Sequence, residues 1–244
     1  LLAPHFYANG FTEVSARLLG NARLKAKRGG VKSWVSVRAE ILKQLRHDQG
    51  HYATLFVDYY GMPAGHVGWP GRAAAGNATE TLRANIVCDA LRQDFEQFAG
   101  EARVSSRFIP FVLVHEFEAL RFSDCRSLAD AMGKSSLAPQ LQAVRDDVAN
   151  PEAIDESPQT APSKRILTLN PRYSKVLMGA AAAQKIGLDT IRAECPRFDR
   201  WLRDLEALPQ VRVAWCAAMR HVRSAAASRS RVRMPTVVAP TSTR

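Results

Sequence analysis

Apolar positions change their spacing along the chain, and each change marks an element. From Phe11 to Leu19, Val14, Ala16 and Leu18 alternate with their neighbours, the period of a half-buried strand. Residues 32–47 carry Val35, Ile41, Leu42 and Leu45 at helical spacing. Tyr52–Val57 is a short apolar strand, and 61–76 is a loop dense in Gly and Pro. Thr79–Phe98 has the longest helical stripe: Leu82, Ile86, Leu91, Phe95 and Phe98. Phe108–Val114 is apolar almost throughout, as a strand covered on both faces must be. Pro110 cannot donate to a ladder, so this strand is expected at an edge or a bulge.

Beyond Asp124 the strand period fades. Helices are predicted over 137–148, over 161–169 with Pro162 near its first position, over 172–186 and over 190–208. The last restarts at Pro196, and 150–157 is an acidic loop. Strands alternating with helices predict an α/β fold, a largely parallel sheet flanked by helices. We therefore expect an α/β domain over 1–135 and a helical appendage packed on it over 136–208. A basic tail over 209–244, rich in Ser, Arg, Thr and Pro at its end, is expected to be disordered.

Composition removes some classes and adds a partner. No apolar run has the length of a membrane span, and the longest two, 108–114 and 176–183, read as core. The opening Leu1-Leu2-Ala3-Pro4 has no basic leader, so no signal peptide is expected. Cys88, Cys125, Cys195 and Cys216 are scattered with no Cys-x-x-Cys pair, which fits a reducing, cytoplasmic setting. The net charge of +11 suggests a polyanionic partner. Seven arginines and no acid follow Gln210, so the rest of the chain carries 11 − 7 = +4. Between Arg17 and Arg46, nine Lys or Arg face a single acid, Glu40. Within that zone Lys25, Lys27, Arg28 and Lys32 form a Gly-hinged basic loop, "KAKRGGVK". Such a loop either tracks phosphates or is simply solvated.

In parallel α/β sheets, ligands bind outside the carboxyl ends of the strands. Asp58 closes one apolar strand, and Glu116 and Glu118 follow another in "FVLVHEFEAL". Acids from neighbouring strand ends suit Mg2+ or Mn2+, and two such ions can clamp a phosphodiester. A lone Asp at a strand end is explained as well by an N-cap. If 115–118 stays extended, the two glutamates share a face, whereas in a helix they point about 200° apart. His115 is a catalytic base, a Mn/Zn ligand or a structural histidine. Tyr59, Tyr60 and Trp69 either stack on bases or pack the Gly/Pro loop. Lys164 and Arg165 lie in a first helical turn, where they would contact phosphate. No G-x-x-x-x-G-K-[ST], G-x-G-x-x-G or G-x-S-x-G occurs, which disfavours a nucleotide-driven motor and a serine hydrolase.

The ordered segments "FVDYYG", "GWPG", "RFIPFVLVHEFEALRFSD", "NPEAIDESPQTAPSKRI" and "CPRFDRWLRDLEAL" resemble the bacterial domain-of-unknown-function 4276 family, from about Leu2 to Leu208. The resemblance implies a Toprim-like (Rossmann-like) fold, that of topoisomerase-primase and OLD-type nucleases. It also implies an ABC-type ATPase partner in phage defence or on mobile elements. By position it makes Asp58 the strand-end metal aspartate and Glu116 and Glu118 the later acidic site. Two departures accompany it. Tyr60 stands where Toprim domains carry the second Asp of Asp-x-Asp, and the chain begins after the Glu-Gly-x-Thr-Glu turn of the family. The expectation is a Mg2+- or Mn2+-dependent nuclease or nuclease-like subunit acting on DNA or RNA, weak or inactive without that glutamate. Asp58, Glu116 and Glu118 would be catalytic and metal-binding. A non-catalytic, degenerate Toprim scaffold that binds an ATPase or DNA is the alternative, and a phosphotransferase or small-nucleotide enzyme on the same sheet is a third.

Overall fold

The computed structural model describes residues 1–18, 33–62, 68–154, 160–209 and 236–239. Four parallel strands, β1 (Ala16–Leu18), β2 (Ala53–Asp58), β3 (Phe108–Leu113) and β4 (Thr236–Ala239), make one sheet in the order β1-β4-β2-β3. Ala53 pairs with Phe108 and Asp58 with Leu113, so β2 and β3 end side by side. Pro110, opposite Leu55, sits on the edge strand, where its missing N–H costs no ladder bond.

Alternation along the strands divides the core between the two sheet faces. Leu55, Val57, Val112 and Val114 belong to one cluster with Trp34, Val37, Ile41, Leu42 and Leu45 of α2 (Trp34–His47). The same cluster holds Ala84, Val87, Leu91 and Phe95 of α3 (Glu80–Ala99). A short helix, α4 (Ala102–Ser105), leads from α3 into β3 and adds Val104. Phe56, Phe111 and Leu113 face the other way, into a cluster built by the helical half.

That half comprises α1 (Leu2–Ala8), α5 (Cys125–Ala131), α6 (Ala138–Asp146), α7 (Pro162–Leu169), α8 (Leu177–Ile186), α9 (Leu188–Glu194) and α10 (Pro196–Glu206). Trp201 of α10 stacks on Phe111 at 5.0 Å between ring centroids. Its indole N–H donates to the Thr54 hydroxyl at 2.9 Å, so the one polar side chain on this face of β2's interior is satisfied. The helical half is thus joined to the sheet by a shared core.

The buried stripes differ in detail from the periodicity. On α3 the sheet side is Ala84, Val87, Cys88, Leu91, Phe95 and Ala99, while Leu82 and Phe98 are exposed. Small residues lie where the helix approaches its neighbours most closely. Gly71, for instance, packs so tightly on α3 that a Cβ would meet the Ile86 carbonyl oxygen at 2.9 Å. On α2, Trp34 rather than Val35 enters the core. In the run 176–183, expected to be core, Val176 and Leu177 are each 75% exposed, because α8 turns only its small Gly179 and Ala182 inward there. Thr236–Ala239 of the tail expected to be disordered is a strand of the sheet, and the rest of 210–244 lies outside the described residues.

Candidate functional site

The carboxyl ends of β2 and β3 bring the three predicted acids together. Asp58 is the last residue of β2, on the strand face that also carries Phe56, and so points toward the helical half. After β3 the chain bends at Val114 and His115, is extended again at Glu116 (φ −68°, ψ 153°) and then tightens into the 3-10 turn Phe117–Ser123. Glu116 and Glu118 therefore straddle a change of conformation, neither wholly extended nor helical. Both still reach one cation. Lys175 Nζ lies 3.2 Å from Glu116 Oε1 and 3.6 Å from Glu118 Oε1.

Each glutamate has a further partner from the helical half or its own turn. The Ser163 backbone N–H, in the first turn of α7, donates to Glu116 Oε2 at 2.8 Å. An unsatisfied N–H at a helix start favours an anion, and here Glu116 is that anion. Glu118, 4% exposed, pairs with Arg121 at 3.0 Å. Arg121 in turn donates to the Gly179 carbonyl and to the Tyr173 hydroxyl, each at 3.0 Å. A Cβ at Gly179 would lie 2.5 Å from the guanidinium, so any larger residue there would force Arg121 or α8 to shift. Burial, with Glu118 and Glu116 nearby, pushes the Tyr173 hydroxyl up to about 12 against the pull of Arg121.

Asp58 is left without such a counter-ion. Burial is the main reason its carboxyl is raised to about 8, and the charges of Glu118 and Glu116 add to it. Lys175 and the Phe117 backbone N–H oppose the shift without cancelling it. Its Oδ1 is out of contact with solvent and has no hydrogen-bond partner. Burial and the two neighbouring glutamates thus favour the protonated form of Asp58, a proton taking the place of a missing positive charge.

Among the described residues, no three His, Cys, Asp or Glu side chains form a group that could hold a metal ion. Glu116 and Glu118 are held in an ion-pair cluster. Asp58 feels the charges of Glu118 and Glu116, one of its oxygens is buried and unsatisfied, and the Lys175 ammonium bridges the two glutamates.

The other predicted positions are placed as follows. Lys164 is exposed, and Arg165 donates to the Thr160 carbonyl at 2.8 Å in the α7 first turn. Lys25, Lys27, Arg28 and Lys32 lie outside the described residues. His115 is buried and stacks on Tyr60 at 6.3 Å, while Tyr59 and Trp69 are core residues and Tyr60 is 42% exposed. Sequence reasoning misses Lys175, Arg121, Ser163 and Tyr173. Only Glu118 and Arg121 carry a local signal, opposite charges three residues apart in one helical turn.

No curated protein and no solved structure gives a match to this chain. The sequence model of one family, described as Domain of unknown function (DUF4276), matches residues 1–206, a span that holds the whole acidic site. The chain belongs to that family.

Proposed function

We propose that the chain is a Toprim-like, divalent-cation-dependent nuclease or nuclease-like subunit whose acidic site is Asp58, Glu116 and Glu118. The observation that carries this reading is the convergence of three carboxyl groups from two adjacent parallel strand ends, one of them with a buried, unsatisfied oxygen. Asp58 and Glu116 would hold Mg2+ or Mn2+, with Glu118 beside them. When bound, such an ion would supply a Lewis acid to a phosphoryl oxygen. The chain's own groups have separate tasks. Asp58 must lose its proton to act as a ligand. Lys175 must leave the shared position or move toward the phosphate. Arg121 pairs with Glu118 and orients it. An ABC-type ATPase partner in phage defence, and a DNA or RNA substrate, are supported by the family resemblance and the basic charge alone.

A second reading has its own observation. Glu116 and Glu118 already spend their charges on Lys175, Arg121 and a helix N–H, which makes them a clasp between sheet and helical half. On that reading the chain is a non-catalytic scaffold that binds a partner ATPase or DNA.

Cleavage of labelled single- and double-stranded DNA and RNA in Mg2+ or Mn2+ separates the two. The nuclease reading expects turnover that Asp58→Ala and Glu116→Gln reduce about a hundredfold or more. Turnover that survives Asp58→Ala removes Asp58 from the site, and binding without turnover in either metal favours the scaffold.

A further inference from the structure

Just beyond Asp58 the chain meets two arginines. Arg72 and Arg83 come from the Gly/Pro loop and from α3, and both meet the pair Tyr59–Tyr60. The Arg72 guanidinium lies 3.7 Å from the centre of the Tyr59 ring and 5.8 Å from that of Tyr60. Arg83 donates from Nη1 to the Tyr60 hydroxyl at 2.8 Å and lies 5.9 Å from the Tyr59 ring. Its Nη2 donates to the Gly76 carbonyl at 3.4 Å. These partners are all neutral. Neither guanidinium makes an ion pair among the described residues, and the Nε of each is buried with no hydrogen-bond partner.

The wall is also stiff. The Tyr59 hydroxyl donates to the Arg72 carbonyl, so Tyr59 holds that residue at both its backbone and its guanidinium. Gly71, at φ +74°, seats the loop just before Arg72 against α3, where a Cβ would stand 2.8 Å from that of Ala90. Tyr60 presents its ring to solvent while its other side stacks on His115, next to Glu116 in the chain.

Two like charges fixed against the same tyrosine pair repel each other, and an anion between them relieves both. A fork of N–H donors beside an exposed ring suits a phosphate attached to an unpaired base, since the base needs a free face to stack. We propose that Tyr60, Arg72 and Arg83 form a wall that binds a single-stranded nucleic-acid segment, Arg72 and Arg83 on phosphate and Tyr60 under a base. The proposal rests on the nucleic-acid reading above and adds the polarity of the site. The strand runs along the arginines and brings its phosphodiester to the acids.

Fluorescence anisotropy of labelled oligothymidylate with the full chain, in EDTA, tests the wall without involving a metal. Arg72→Gln and Arg83→Gln are expected each to weaken binding about tenfold and to lower the salt slope by roughly 0.7 for each phosphate no longer engaged. Tyr60→Leu weakens it by a similar factor, while Tyr60→Phe keeps most of the affinity because the ring remains. Arg92→Gln, also on α3 but paired with Asp89, should change little. Thermal melts confirm that the variants fold, and Tyr60→Leu, at an exposed position, is the one least open to that concern. Equal losses for Arg92→Gln and Arg83→Gln overturn the proposal, as does displacement by poly-glutamate as effective as by oligothymidylate. Wild-type binding unaffected by all three wall variants overturns the wall alone, whereas no wild-type binding to DNA or RNA removes the nucleic-acid reading with it.

Discussion

Asp58 and Arg121 are two buried charge problems with opposite solutions. Asp58 takes up a proton, and this fixes the sign of its pH dependence. Its carboxyl titrates near 8 when folded and at an ordinary carboxylate value, about 4, when unfolded. The folded state therefore holds the extra proton between these values. The stability this group contributes is present in full below about pH 4 and is lost progressively as pH rises to about 8. Asp58→Asn should flatten that loss, so melting temperatures at pH 6 and pH 8.5 should differ less in the variant than in the wild type. Arg121 is instead balanced by an ion pair with Glu118, both side chains being 6% exposed. Arg121→Met should cost about 3–5 kcal/mol in denaturant unfolding, because Glu118 is left buried with only Lys175 nearby. Lys175→Met should cost less than Arg121→Met, because Lys175 and Glu116 keep about a fifth of their side chains exposed, and should raise the affinity for Mn2+, read by electron paramagnetic resonance, because it vacates the position shared by the two glutamates.

Packing between elements explains which parts of the chain are legible in its sequence. Phe108–Val114 can be read because alternate residues serve two cores, and Phe111 and Val112 are both buried. Periodicity on α2 and α3 overweights the large residues. Ala84, Cys88 and Ala99 carry little hydrophobic signal, yet they lie where only small side chains fit, while Leu82 and Phe98 remain in solvent. Asp58, Glu116 and Glu118 are legible because strand ends advertise themselves by a sudden change of polarity. Lys175, Ser163 and Tyr173 are not, since nothing local in "APSKRI" or "RYSKVL" says which distant acid they will meet. Two contacts between elements give measurable expectations. Trp201→Ala should cost about 3–5 kcal/mol, since α10 loses both its stack on Phe111 and its bond to Thr54. Gly179→Ala should cost about 1–3 kcal/mol by pressing α8 away from Arg121, with Tyr173 fluorescence reporting the shift.

At the scale of the whole molecule, charge is arranged in two adjoining fields. The acids at the ends of β2 and β3 face the helical half, while Arg72, Arg83 and Tyr60 stand on the α3 side of the same rim. A net charge of +11 favours approach of a polyanion, and on the proposed nuclease reading the arginines would supply the attraction and the acids the chemistry. The sheet order has a different bearing. Thr236–Ala239 lies between β1 and β2, pairing with both. Ending the chain at residue 209 would leave two open strand edges in the middle of the sheet, and we expect a lower melting temperature and light scattering from aggregates.

The position of β4 also sets a timetable. It is synthesised after every other described element of this chain, yet it belongs at the interior of the sheet. During synthesis β2 and β3 can pair and collect their helices, but among the described strands β1 has no neighbour in the sheet until β4 emerges. The gap between them is a waiting site for an extended segment, and closing it brings together strands far apart in sequence. Folding of this protein should therefore finish in a slow, late step, one in which a chaperone that shields strand edges would raise the yield more than one that shelters helices.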